Sequence, residues 1–305
     1  MPAGSAADVN PLHHLRPECL WPVAATLGEG VVWHAQEHAV FFVDIKQRKL
    51  HRLDTVTGAR RSWDAPGQIG FALPHVRGGL ICGVQGGLHR FDARSGTFTL
   101  CLPVEADLPG NRLNDGHVDA EGALWFGSMD DAESEVTGAL YRVGADGQLS
   151  VRDRAYVITN GPARSPDGGT LYHNDTLQRV VYAFDVGPEG VLSRKRVFAR
   201  MEGSGYPDGM AVDSEGSLWV ALFGGARIER FAPDGSRLGA VAFPCSNITK
   251  LAFGGDDLRT VYVTTARKGL DDAALAQQPL AGSLFTFRAD VAGLAPTLCS
   301  APLGF

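Results

Sequence analysis

A short unit is spelled twice in this chain. Residues 118–125 read VDAEGALW and residues 212–219 read VDSEGSLW, so Val118, Asp119, Gly122 and Trp125 correspond to Val212, Asp213, Gly216 and Trp219. A unit used twice calls for a search for further copies, because a repeated supersecondary unit dictates the whole fold. The same grammar (apolar strand, turn, apolar strand) starts at Val31, Ala72, Val118, Ala163, Ala211 and Leu251. Those starts lie 40 to 48 residues apart. Second hairpins fill the intervals, such as LHRFDARSGTFTL and IERFAPDGSRLGA, which alternate apolar and polar and turn on Asp and Gly. Asp opens such a turn through its side-chain hydrogen bond, and Gly accepts the positive φ that follows. Two hairpins per period make four strands, and four strands at this period are the mark of a propeller blade. The expectation is therefore an all-β chain: a six-bladed β-propeller with four-stranded blades over residues 18–305, behind a flexible N-terminal extension, residues 1–17. Two β-sandwiches would have no reason to repeat at this period. No stretch sustains a 3.6-residue apolar rhythm, and the best short helix covers residues 271–278.

Composition narrows the partners. The net charge is -6 and the pI near 5.8, which points away from nucleic acid or an anionic membrane as a partner. No apolar run approaches the length of a membrane span. Five cysteines form an odd set without a CxxC pair, which suits a reducing, cytoplasmic setting and packing roles inside blades. No GxSxG nucleophile elbow occurs.

Chemistry gathers just before the first strand of several copies. There the chain reads a polar residue and then glycine: Glu29-Gly30, Asp115-Gly116, Asn160-Gly161 and Asp208-Gly209. In a propeller the first strand of each blade lines the central channel, so residues at one repeat position converge on the axis. Carboxylates brought together repel and lose solvation, and need a cation or a proton. Oxygen-only donors suit Ca²⁺, Mg²⁺ or Mn²⁺ and tolerate Zn²⁺ or Fe²⁺. Lys250 stands where the sixth copy should carry its polar-Gly pair, which places it near the mouth or at the surface. Trp125 and Trp219, at equivalent places, read as packing between blades.

The motifs LGEGVVW, NRLNDGHVD, YVITNGPARSPDG, YPDGMAVDSEGSLWVALFGG and TTARKGL together resemble the gluconolactonase/regucalcin (senescence marker protein) family of six-bladed propellers. The likeness spans about residues 20 to 290, with the motifs in order. It implies hydrolysis of a small-molecule sugar lactone, an aldono-lactone such as gluconolactone or a pentonolactone, with one divalent metal ion at the channel mouth. By motif it implies Glu29, Asn160 and Asp208 as metal ligands, Asp208 also as general base, and Arg112 and Asn114 as the substrate-holding pair. The repeat alignment selects Asp115 where the family motif selects Asn114. Alternation along a strand lets one of them face inward, and the family choice is Asn114. A further substrate-contacting acid is implied in AESEVTGALY, at Glu133 or Glu135, with Glu135 taken as the candidate. The rival reading is a calcium-binding regulatory or scaffold propeller without catalysis. A scaffold needs no convergent carboxylates, whereas a calcium regulator would use the same ligands.

Overall fold

The computed structural model describes residues 12–304, and its twenty-four strands are numbered β1 to β24 in chain order. They form six antiparallel four-stranded sheets. Five sheets take four consecutive strands each. The sixth joins three C-terminal strands to β1 (Glu18–Trp21), which pairs with β24 (Leu284–Arg288) and closes the ring. The innermost strands are β2 (Gly28–His34), β6 (Ile69–Pro74), β10 (Asn111–Val118), β14 (Thr159–Arg164), β18 (Tyr206–Val212) and β22 (Ile248–Gly254). Each touches the next around the axis, and β22 returns to β2. The six expected copies coincide with the first hairpins of the six blades. The short helix α1 (Asp272–Gln277) is capped by Asp271, whose side chain accepts from the Ala274 amide at 2.8 Å.

Every inner strand carries one residue more than the strand it pairs with. The surplus is a bulge, which breaks the two-residue alternation and re-aims side chains. In β10 the residues Asn114 and Asp115 lie opposite the single residue Gly127, between the pairs Leu113–Ser128 and Gly116–Phe126. Both are buried, which corrects the expectation that only one of them faces inward. Gly30, at φ +57°, follows Glu29 in the left-handed region that favours glycine. The inner strands also approach closely: a Cβ on Gly70 would fall 2.1 Å from the carbonyl oxygen of Asn114.

The core lies between blades. Phe71 of the second blade packs on Phe126 of the third, and Trp219 of the fifth on Phe253 and Phe287 of the sixth. Each such ring contributes about 1.5–3 kcal/mol by leaving water. Two of the repeated residues explain the repeated spelling. Asp213 accepts from the amides of Glu215 and Ser217 with one oxygen and from Trp219 Nε1 at 2.8 Å with the other. Asp119 makes the same bonds to Glu121, Ala123 and Trp125. The VD…EG…LW unit is a turn clamp that locks its tryptophan. Arg230 adds an ion pair to the fully buried Asp213. Asp213→Ala strands a buried indole N–H, an amide and a guanidinium together. It is expected to cost about 3 kcal/mol, read as a lower urea midpoint with unchanged slope.

Residues 1–11 of the expected flexible extension lie outside the described residues. Leu12 and Leu15, within it, are buried in the same cluster as Trp219 and Val241. Among the described residues the five cysteines are free, with Cys82, Cys245 and Cys299 buried in blades. No helix among them is long and apolar enough to cross a membrane. After the last blade, the chain crosses the end of the channel where the inner strands finish. Ser214 donates to Ala292 O, Gly293 bridges to Asp213, Cys299 donates to Pro74 O, and Ser300 donates to Gly122 O. Leu294, Ala295, Pro296 and Thr297 thereby cover a cavity of about 350 Å³ at that end.

Candidate active site

The inner-strand bulges deliver their polar residues to the opposite end of the channel. A cavity of about 300 Å³ opens there, and Glu29, Arg112, Asn114, Asn160 and Asp208 all line it. They come from the first, third, fourth and fifth blades. All five are nine-tenths or more buried.

Glu29 and Asp208 meet closely enough to hydrogen-bond through their carboxyl groups. Burial, reinforced by the charge of Asp115, pushes Glu29 up to about 7. Burial, and then the neighbouring Glu29, hold Asp208 well above the usual carboxylate range. Asn160 is oriented by its amide, which donates to Thr176 Oγ1 at 2.9 Å. Its Oδ1 accordingly faces the cavity and accepts from Asn114 Nδ2 at 2.9 Å. No three His, Cys, Asp or Glu residues cluster as a metal site among the described residues. The set here is two carboxylates and an amide oxygen. Among the described residues no basic side chain hydrogen-bonds to Glu29 or Asp208; Lys250 acts on both acids from a distance, so their mutual repulsion lacks a counter-charge in contact. A hard divalent cation fits that set.

Lys250 is where the counter-charge went. It is buried, and its Nζ lies 2.6 Å from both oxygens of Asp115. This settles its position, inside the channel beneath the mouth. Asp115 thus belongs to an internal ion pair, and Asn114 is the cavity-lining member of the two.

Arg112 is held rigidly. Its Nε donates to Asp131 at 2.8 Å and its Nη1 to Asn114 Oδ1 at 2.5 Å. Burial lowers its pKa, opposed by Asp131. Nη2 has no hydrogen bond among the described residues and remains available to a ligand. Burial would raise Asp131, but hydrogen bonds from Lys46 and Gln68 and the charge of Arg112 outweigh it and take its pKa to about 2. Both polar atoms of Asn114 are engaged within the protein, since Nδ2 also donates to Thr159 O at 2.5 Å.

The two candidate acids of AESEVTGALY are placed differently. Glu133 lines the cavity, whereas Glu135 is exposed and outside the lining, its amide donating to Asp130 Oδ2. Two residues escaped sequence reading as site members. Asp131 braces Arg112, and Lys268 lines the mouth and pairs with Glu133. The run TTARKGL was the only sequence signal for Lys268.

Residues 27–267 match the model of the SMP-30/Gluconolactonase/LRE-like region. The chain is 35% identical to a 6-deoxy-6-sulfogluconolactonase of Pseudomonas putida, covering 92% of this chain and 97% of that protein. It is 38% identical to an L-arabinolactonase of Azospirillum brasilense, covering 88% and 91% respectively. A solved structure described as a calcium-binding protein, regucalcin, from Agrobacterium tumefaciens superposes with a TM-score of 0.90 at 30% identity, over 93% of this chain and 97% of that one.

Proposed function

Since the chain belongs to the SMP-30/gluconolactonase/LRE-like family, we propose that it is a metal-dependent lactonase opening a sugar lactone to the aldonic acid. The observation that carries this reading is the meeting of Glu29, Asp208 and Asn160 from three blades beside the free Nη2 of Arg112. Glu29, Asn160 and Asp208 would hold one divalent ion through oxygen. Calcium, magnesium, manganese, zinc and iron(II) all accept such donors. Bound there, the ion would keep both carboxylates ionised, polarise the lactone carbonyl and acidify an attacking water.

The rest is the work of this chain's own groups. A lactone is a cyclic ester, so water must lose a proton as it attacks, and a carboxylate oxygen of Asp208 takes it in this reading. Arg112 Nη2 donates to a hydroxyl or to the ring of the substrate, and Asp131 and Asn114 hold the guanidinium in one pose. Asn114 acts on the substrate mainly through Arg112 and Asn160, because its own polar atoms are already engaged. Tyr206 and Leu177 line the cavity and are themselves partly exposed. Five unpaired cysteines suit a reducing compartment, and we place the enzyme in the cytoplasm.

The test is a panel of aldono-1,4- and 1,5-lactones offered to protein loaded with each divalent ion in turn, followed by proton release. Turnover of at least one aldonolactone above the spontaneous rate is expected. No turnover on any lactone with any ion ends the reading. It would favour the second one, a calcium-binding regulator, which the calcium-binding description of the Agrobacterium structure supports.

A further inference from the structure

The inner strand of the fifth blade is held by the fourth blade at the point where it delivers Asp208. In β18 the residues Asp208 and Gly209 stand opposite the single residue Ala221, between the pairs Pro207–Leu222 and Met210–Val220, so the ladder is interrupted there. Two side chains reach across to it, one near the end of β15 (Thr170–Asp175) and one just past it. Asn174 donates through Nδ2 to the carbonyl of Asp208, and Thr176 donates through Oγ1 to the carbonyl of Pro207 at 2.9 Å.

Thr176 is itself fixed. It is buried in the cavity lining, its amide donates to Ile158 O at 3.3 Å, and its carbonyl accepts from the Arg179 amide at 3.0 Å. The same hydroxyl that bonds to Pro207 accepts from Asn160 Nδ2 at 2.9 Å, so it joins the strand of Asn160 to the strand of Asp208. Asn174 is fully buried, and its Oδ1 has no hydrogen-bond partner among the described residues. An unmet buried acceptor costs stability, so what this amide contributes is its hold on the Asp208 main chain.

The direction of each bond follows from the atoms. A hydroxyl has one proton, and the Pro207 carbonyl can only accept. That proton is committed to Pro207, and Thr176 Oγ1 is left to accept from Asn160. The Asn160 amide must then present its NH₂ to Thr176 and its carbonyl oxygen to the cavity. Turned over, it would set two acceptors against each other at Thr176 and aim an N–H at a site whose cation takes oxygen. Asn114 supports the same pose by donating to Asn160 Oδ1, but it reaches only that end of the amide.

We infer that Thr176 is a positioning residue for the ion: its hydroxyl turns the Asn160 carbonyl oxygen toward the site and, with Asn174, sets the spacing between Asn160 and Asp208. This rests on the metal-dependent reading and adds to it the device that places two of the three ligands relative to one another.

The test is calorimetric titration of the chelator-treated protein with Ca²⁺ and, in parallel, Mn²⁺. Thr176→Val keeps the shape and removes the hydroxyl, and Thr176→Ala removes it as well. Each is expected to raise Kd about 10- to 100-fold, the loss typical of removing an outer partner of a metal ligand. Thr176→Ser keeps the hydroxyl and should stay within about threefold of wild type. A carboxylate offers oxygen on both sides and needs no such orientation. In an Asn160→Asp background, therefore, Thr176→Val should change Kd by less than about threefold. A merely structural role would weaken binding equally in both backgrounds. Circular dichroism checks that each variant folds. An unchanged Kd in the hydroxyl-free variants, a loss in Thr176→Ser as large as theirs, or an equal loss in the Asn160→Asp background overturns the inference and leaves the lactonase reading standing. A wild-type protein that binds neither ion overturns it together with the metal site.

Discussion

Asp208→Ala is expected to lower kcat/KM by about 10⁴-fold, the upper range for losing a general base, because the same change removes one of three ion-binding oxygens. The two losses are separable. Asp208→Asn keeps an oxygen where the ion sits but cannot take a proton from water. It should retain measurable affinity for a divalent ion while losing most of the rate, whereas the alanine variant loses both. Calorimetric titration with the ion, set beside lactone turnover, reads the two effects independently. Misfolding is an unattractive explanation, because Asp208 is buried against Glu29 at a cost, and removing one of two repelling acids relieves it. The alanine variant should therefore be no less stable at neutral pH than the chelator-treated wild type. Full activity in Asp208→Ala would remove Asp208 from both roles.

Chelation should abolish turnover, reloading should restore it, and the stabilisation that the ion confers should grow with pH. Glu29 is raised from 4.5 to about 7 in the ion-free protein. A carboxyl group with a raised pKa contributes stability that is present below 4.5 and is lost as pH climbs through 7, because the folded chain holds a proton that the unfolded chain has released. Desolvated histidines pull the other way: loss of water lowers buried His51 and half-buried His117 to about 4 and buried His173 to about 3. They act in the loaded and stripped forms alike, so the difference between the two forms isolates the site. Urea unfolding at pH 5 and pH 7.5, with and without ion, should show the ion's stabilisation rising by about 2–3 kcal/mol across that interval from Glu29. Asp208, raised for the same reasons, adds in the same direction. A stabilisation that stays flat or falls with pH, together with turnover unaffected by chelator, would remove the ion from this site.

The ring was legible because its grammar is local. Asp and Gly mark each hairpin turn, and the copies recur at one period, so counting them counts blades. The closing partner of the last blade was less visible, since ECLW at residues 18–21 is short and stands alone at the start. At the site, Glu29, Asp115, Asn160 and Asp208 were marked alike because each precedes a glycine at one repeat position, and the family resemblance alone set Asp115 apart from the other three. Asn114 and Asp115 were not separable, because strand alternation fails where an inner strand carries an extra residue. Glu133 against Glu135 could not be decided from spacing either. A left-handed residue and the grip of Asp130 put Glu133 in the cavity lining and Glu135 outside it, and neither has a readable signature. Lys250 and Lys268 belong to the sixth blade, where the repeat departs from its pattern, and their partners Asp115 and Glu133 lie 135 residues away in each case.

The C-terminal segment that passes beneath the ring, from Ala292 to Ser300, has a bearing on traffic. With that exit roofed over and the Asp115–Lys250 pair wedged above it, the described residues leave the reaction chamber open at its other end. A lactone would enter, and the newly opened acid would depart, past the same Lys268 and Glu133 pair. Each turnover then requires the threshold to clear before the next guest arrives.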